Sequence, residues 1–301
     1  MNIIEYTRKQ IITQLYDTIF GVCFPTWKEG FNKYAPDLTE VQLFNLGDHL
    51  GEIFQSTATD RSQGGVAGGG SAWEALICWY LNLCLIGRRT IVIKHNKRFI
   101  PQSVSDAITV NYGNFRSNTE SDLIAITFPD EIEFQTDIDS LYGVAVSQTI
   151  NFPGIQQLFN SFTSTNFSQI EIHIIQTKTN WNDNAQIPMM WDAIYSAQSF
   201  SNGISIGTNG YSIHDVRRFT YSFVTVPTNK LHLFKPTSTC VLRVRQLSGG
   251  NYWGRPTKQG VANSVKEMLD RNLRNGAKVS ILSSIKTAAP KLHTEYSYFG
   301  L

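Results

Sequence analysis

Between Ile170 and Trp181 the chain alternates apolar and polar residues and is rich in isoleucine. β-Branched side chains at period two specify an extended strand whose successive residues point to opposite faces of a sheet. Ile172, Ile174, Gln176, Lys178 and Asn180 then share one face. The apolar end of that row anchors in a core, and the polar end, Gln176 with Lys178, emerges at the sheet's edge. An ordinary strand end with solvated polar residues has the same pattern, so the neighbouring segments have to discriminate.

Those segments read as a mixed α/β chain. Apolar residues recur at helical spacing over 3–20, with Pro25 marking a break, and Thr39-Glu40 opens a second helix reaching Phe54. A polar and then glycine-rich stretch from Ser56 to Ser71 reads as a loop. Ala72 to Ile86 is apolar all round and predicts a buried helix, ended by Gly87 and followed by a strand at Thr90–Ile93. Further on, the pattern predicts a short helix at 101–108, irregular chain to 119, strands at 122–128 and 141–150, and helices at 153–162 and 186–198. Pro188 falls in the first turn of the last of these, where proline is tolerated. Strands are expected at 217–226 and 238–246, and a helix from Thr257 to Asn275 closed by Gly276. The fold class is therefore α/β, a mixed central sheet flanked by helices, with a basic, β-rich C-terminal part.

Charge is distributed unevenly along the chain. From Arg217 onward fourteen Lys and Arg face three acids, a net +11, whereas residues 1–216 carry about −9. A basic end joined to an acidic part suggests polyanion binding beside a cation site, although a solvated basic face has the same composition. Arg255, Lys258, Lys266, Arg271 and Arg274 lie on or near one predicted helix. No apolar run reaches the eighteen or more residues a membrane span needs, and the N-terminus lacks a signal-peptide pattern. These features predict a cytoplasmic protein with no membrane partner. Cys23, Cys78, Cys84 and Cys240 lack CxxC spacing and sit in apolar company, which predicts buried thiols.

Three separated places can carry chemistry together. Glu74 lies near the start of the buried helix, Asp122 opens a strand after a polar turn, and Gln176 and Lys178 close another strand. Mg2+ takes oxygen ligands and keeps several waters, so Asp122, Glu74 and a backbone carbonyl such as that of Thr177 form a sufficient donor set. Lys178 is placed to orient or deprotonate an attacking water and to counter charge on a phosphate. This is the chemistry of phosphodiester hydrolysis. Each part also has a structural reading: Glu74 as a first-turn acid favoured by the helix dipole, Asp122 as a turn residue, Lys178 as a solvated strand end.

Asp122 in Ser-Asp-Leu-Ile-Ala-Ile, followed by Gln176-Thr177-Lys178 at the end of an apolar strand and preceded by a helical Glu74, resembles the PD-(D/E)XK nuclease superfamily. The similarity covers roughly residues 70–200, and Gly70-Ser71-Ala72-Trp73-Glu74 and the segment Gln176–Pro188 look like type II restriction-enzyme sequence. The resemblance implies a helical part over 1–60, a restriction-endonuclease-like core over 61–200 and a DNA-contacting part over 201–301, or all three as one compact domain. It also implies a Mg2+-dependent endonuclease acting on double-stranded DNA as a homodimer, with a cognate DNA methyltransferase as functional rather than physical partner. Two departures stand out. Gln176 occupies a position where the family usually has a carboxylate, and the interval from Asp122 to Gln176 is long enough to require an insertion. A nuclease of phage defence or repair, or a catalytically silent DNA-binding module on the same fold, are the rival readings.

Candidate DNA contacts are the amide-rich run Asn180, Asn182, Asn184 and Gln186, together with Arg61, Arg116, Arg255 and Lys258. Amides suit adenine edges and the cations suit phosphates, while Asx-turns and a helix cap explain the amides equally well. Asp130 in Phe128-Pro129-Asp130-Glu131 follows its strand rather than opening it and ranks below Asp122. Gly203-Ile204-Ser205-Ile206-Gly207 fits the serine-hydrolase GxSxG pattern but lacks the strand before and helix after that its elbow requires. The glycines from Gly64 to Gly70 lack the GK[ST] ending of a phosphate loop, and the six histidines lack zinc-ligand spacing.

Overall fold

Local signals explain the starts of the first helices. The computed structural model describes residues 1–57, 66–94, 98–117, 121–141, 152–179, 186–197, 203–226, 235–254 and 260–301. α1 (Ile3–Leu15) is capped by Asn2, whose side chain accepts the Glu5 amide at 2.9 Å. α2 (Ile19–Tyr34) contains Pro25, so the expected break is not there. Proline removes one helical hydrogen bond, but Phe20, Cys23, Phe24, Trp27 and Phe31 are all buried along this helix, and their packing outweighs it. α3 (Glu40–Gln55) starts at a reciprocal capping box between Thr39 and Gln42, as the sequence predicts. The next helix, α4 (Val66–Cys84), begins six residues before Ala72 and takes in glycines expected to be loop. Each glycine weakens a helix by about 1 kcal/mol relative to alanine. Extending a helix already nucleated by the fully buried Trp73, Trp79 and Tyr80 offsets that cost.

The chain continues through β1 (Thr90–Lys94), α5 (Gln102–Ala107), a hairpin of β2 (Val110–Tyr112) and β3 (Phe115–Ser117), and β4 (Leu123–Thr127). The hairpin replaces the irregular chain expected there. Two helical single turns at 132–135 and 138–141 precede α6 (Phe152–Thr165), and the expected strand at 141–150 lies almost wholly outside the described residues. β5 (Glu171–Lys178), α7 (Gln186–Ser196), β6 (Ile204–Ile206) and β7 (Arg218–Thr225) follow. The strand expected at 238–246 is instead α8 (Thr239–Arg245). Cys240, Val241, Val244 and Leu247 all face one small buried cluster with Phe223 and Trp253, and that spacing is helical rather than alternating. The helix predicted from Thr257 is shorter in its described part: α9 (Val265–Asn272), capped by Ser264. α10 (Ile281–Ala288) closes the sequence of helices. Among the described residues the C-terminal part thus holds helices and irregular chain apart from β6 and β7, and is not β-rich.

The main sheet runs β1-β4-β5-β7, antiparallel at the first two contacts and parallel at the last. β7, from the basic part of the chain, therefore shares a sheet with β4 and β5. Register places Ile93, Ile124 and Ile174 on one face and Lys94, Leu123 and Ile175 on the other. Helices flank both faces: α4 packs on β1 and β5, while Tyr195 of α7 packs on Phe219 and Tyr221 of β7. β2, β3 and β6 make a second, three-stranded sheet. All four cysteines are buried and none forms a disulfide, as expected. Among the described residues no helix is long and apolar enough to cross a membrane.

Buried polar groups hold the outer strand in place. Asn82 of α4 is fully buried; its amide nitrogen donates to the Val92 carbonyl at 2.7 Å and its oxygen accepts the Val92 N–H at 3.1 Å. Arg8 of α1, also fully buried, donates to Asn82 at 3.0 Å and to the Thr90 carbonyl at 2.9 Å. Asn82→Ala removes two strand partners and leaves a buried guanidinium partly unpaired. It is expected to lower unfolding stability by about 2–4 kcal/mol, read as a lower urea midpoint with unchanged slope.

Candidate active site

β4 and β5 lie antiparallel, and the pairing of Leu123 with Ile175 brings Asp122, just before β4, opposite Gln176. The side chains meet. Gln176 Nε2 donates to Asp122 Oδ2 at 2.8 Å, and the same oxygen accepts the Thr177 N–H at 2.7 Å and the Thr177 hydroxyl at 3.2 Å. The Gln176 oxygen accepts from the Tyr221 hydroxyl at 3.2 Å. Gln176 therefore serves as a neutral donor that fixes one carboxylate oxygen, while Asp122 Oδ1 has no hydrogen bond among the described residues. Tyr221, fully buried on β7, was invisible as a site residue because only the parallel β5–β7 register brings it to Gln176.

Electrostatics tie two further groups to this pair. Burial pushes the Asp122 carboxyl up to about 6; the Thr177 N–H pulls it down, the Glu74 carboxylate raises it, and the Lys178 ammonium lowers it. Glu74 and Lys178 thus both act on Asp122, from α4 and from the end of β5. Lys178 is half-buried, its carbonyl accepts the Thr225 hydroxyl at 2.7 Å, and its ammonium makes no ion pair among the described residues. Glu74 lies 3.4 Å from the ammonium of Lys94, which also donates to the Ser71 carbonyl at 3.1 Å. Lys94 was missed because the predicted strand stopped at Ile93; the observed strand extends one residue and delivers it to α4.

The donor set can be weighed against Mg2+. Among the described residues no group of three or more His, Cys, Asp or Glu side chains is arranged to hold a metal. A cation here would rest on two carboxylates, Asp122 through Oδ1 and Glu74, plus backbone and water, a set that suits Mg2+ and no softer ion. Thr177 also contributes: a residue's N–H and C=O leave a strand on the same side. Since its N–H reaches Asp122, its carbonyl faces the same way. These oxygens are of the hard kind that a divalent cation would require.

Other predicted positions are distributed differently. Arg116 is exposed on β3 and lines a cavity of about 290 Å3 with Gln102, Asp106 and Thr208. Gln186 opens α7, and with its amide oxygen turned toward Arg243 of α8 it accepts from that guanidinium at 3.0 and 3.3 Å. Arg61, Asn180, Asn182, Asn184, Arg255 and Lys258 lie outside the described residues. Lys266 pairs with Asp48 and Arg271 with Glu267, so those two cations of the basic face have acidic partners. Asp130 lies past the opposite end of β4, paired with Arg89 at 3.2 Å and Lys278 at 3.1 Å. Ser205 sits inside β6, paired with β2, and makes no nucleophile elbow.

No family model matches this chain, and no curated protein matches it.

The raised Asp122 pKa has a direction that can be measured. Below about pH 6 Asp122 holds its proton, and above it the carboxylate is ready for a cation. Proton and cation compete, so Ca2+ or Mn2+ affinity, followed by calorimetry, is expected to plateau above pH 7 and fall by about tenfold per unit below 6. Asp122→Asn should abolish that dependence together with the binding.

Proposed function

We propose that the protein is a Mg2+-dependent, sequence-specific endonuclease that cleaves double-stranded DNA in the manner of a type II restriction enzyme. The observation that carries the reading is the meeting of Asp122 with Gln176 and Thr177 at adjoining strand ends, with Glu74 and Lys178 acting electrostatically on the same carboxylate. A bound Mg2+ supplies Lewis-acid polarisation of a phosphate and a more acidic water. The chain's own groups do the rest. Gln176 and Thr177 hold Asp122 in one orientation, leaving Oδ1 for the cation. Glu74 adds the second negative charge that makes divalent binding favourable. Lys178, as an ammonium, orients the attacking water and offsets charge as it builds on the phosphorane-like transition state, while the water's proton passes to solvent.

Two-fold targets and scission of both strands call for two such sites, hence a homodimer. The reading places the enzyme in the cytoplasm beside a DNA methyltransferase that protects the host's own sites. One observation favours a second reading. Asp122 Oδ2 is already saturated by three donors, as a purely structural strand cap would be, which suits a silent DNA-binding module on the same frame.

Incubation with plasmid DNA separates these readings. Mg2+ is expected to produce discrete fragments and EDTA to suppress them; a smear favours a nuclease of defence or repair, and no metal-dependent scission of any DNA sinks the enzyme. Lys178→Ala is expected to lower cleavage by at least about 10³-fold while DNA retention in Ca2+ stays within about threefold, since the lysine acts in the transition state.

A further inference from the structure

The β2–β3 hairpin has a shape that its place in the core does not explain. Tyr112 pairs with Phe115, leaving a two-residue loop of Gly113 and Asn114. Gly113 has φ +58°, and Asn114 is not in the positive-φ region, the signature of a type II′ turn that keeps a hairpin tight. The base is fixed: Val110 is fully buried, the Gly207 N–H donates to the Thr109 carbonyl at 2.8 Å, and Asn111 donates to the Gly207 carbonyl at 2.8 Å. β6 supplies a third strand, so the tip stands on a rigid support.

At that tip Phe115 is 67 % exposed, and it is the one aromatic ring in the exposed class among the described residues. Arg116 beside it is exposed and has no ion pair among the described residues. Residues 107–117 contain no acid. Exposing a phenyl ring to water at the end of a braced hairpin costs free energy that burial elsewhere would recover. The hairpin is also tethered to the site. The chain leaves β1 at Lys94, builds α5 and the hairpin, and returns at Asp122, both ends being at the candidate site. Seven residues separate Phe115 from Asp122, which limits their distance to about 25 Å even when extended.

We infer that this hairpin is a DNA-probing wedge: Phe115 inserts between base pairs of the bound duplex, and Arg116 engages the adjoining phosphate or groove. The occupant is double-stranded DNA because the tip joins a flat, exposed apolar ring to a cation that has no ion pair among the described residues, the combination that unstacks a base step. The inference rests on the nuclease reading for its substrate, but its test does not depend on cleavage.

A closed circular plasmid is relaxed by a metal-independent type I topoisomerase in the presence of the Lys178→Ala protein and Ca2+, and the topoisomers are resolved by electrophoresis. An intercalating wedge is expected to shift the mean linking number by about one turn or more at saturation. Adding Phe115→Ala should remove the shift while gel retardation of the same plasmid weakens by no more than about tenfold. Phe115→Trp should restore it. A plasmid that is bound without any shift, a shift that survives Phe115→Ala, or no binding at all overturns the wedge. So does a Phe115→Ala protein that changes only from dimer to monomer in sedimentation, because the tip is then a contact between copies. Mg2+-dependent scission by the wild-type chain, scored separately, tells failure of the wedge from failure of the nuclease reading.

Discussion

The bond between Asn82 and Val92 conditions everything that happens at the candidate site. β1 is the edge of the main sheet, and an edge strand presents unpaired N–H and C=O groups that invite pairing with other chains. Here the Asn82 amide meets both groups of Val92, as another strand would, and Arg8 takes the Thr90 carbonyl next to it. A helix thereby becomes hydrogen-bonded to a sheet. α4 cannot slide along β1 without breaking those bonds, so Glu74, two turns earlier on the same helix, is delivered to Lys94 at the end of the same strand. The opposite edge is closed in a related way. Ser248 and Asn251 side chains accept the Tyr221 and Phe223 N–H groups of β7, each at 2.8 Å, while Thr225 donates to the Tyr252 carbonyl at 3.0 Å. A sheet covered on both faces and both edges leaves its strand ends as the places where polar groups can reach solvent.

How legible this was depended on the range of the signal. Period-two alternation located β5, and Thr39-Glu40 located the start of α3, because both are written in neighbouring side chains. Asp122 and Gln176 do meet, since strand ends are features that local patterns mark well. What failed was context. Thr239–Arg245 is rich in β-branched residues and read as a strand, but its cluster with Phe223 and Trp253 selects a helix. Pro25 and the glycines before Trp73 read as breaks, and burial overrode them. Tyr221 and Lys94 needed the parallel register and one extra strand residue, neither of which is written locally.

Gln176 acquires a physical role from the structure. A carboxylate at that position would lie against Asp122 in a buried setting, where two like charges at hydrogen-bond distance raise one pKa strongly. The amide avoids the repulsion and orients Asp122. Glu74 adds a further negative charge that acts on Asp122, while it pairs with Lys94.

The two ends of β5 show why Asp122 differs from a structural carboxylate. Glu171, at the other end, is also buried, yet it is compensated: burial would raise its pKa, but His173 at 3.4 Å, Asn275 and Arg218 bring it below the ordinary range. Burial lowers the His173 pKa, and Arg217 and Arg218 add positive charge beside Glu171. That is how a fold retains a carboxylate it needs only for stability. Asp122 has only neutral donors in contact, a carboxylate neighbour in Glu74, and an ammonium in Lys178 that does not touch it; its pKa moves the other way. A buried acid left without a contacting cation, at a strand end where one side-chain oxygen has no donor, weakens the fold above pH 6. Selection for stability alone would neutralise it, as it has Glu171. On the proposed nuclease reading, a divalent cation held by Asp122 and Glu74 would restore the balance and serve phosphodiester cleavage.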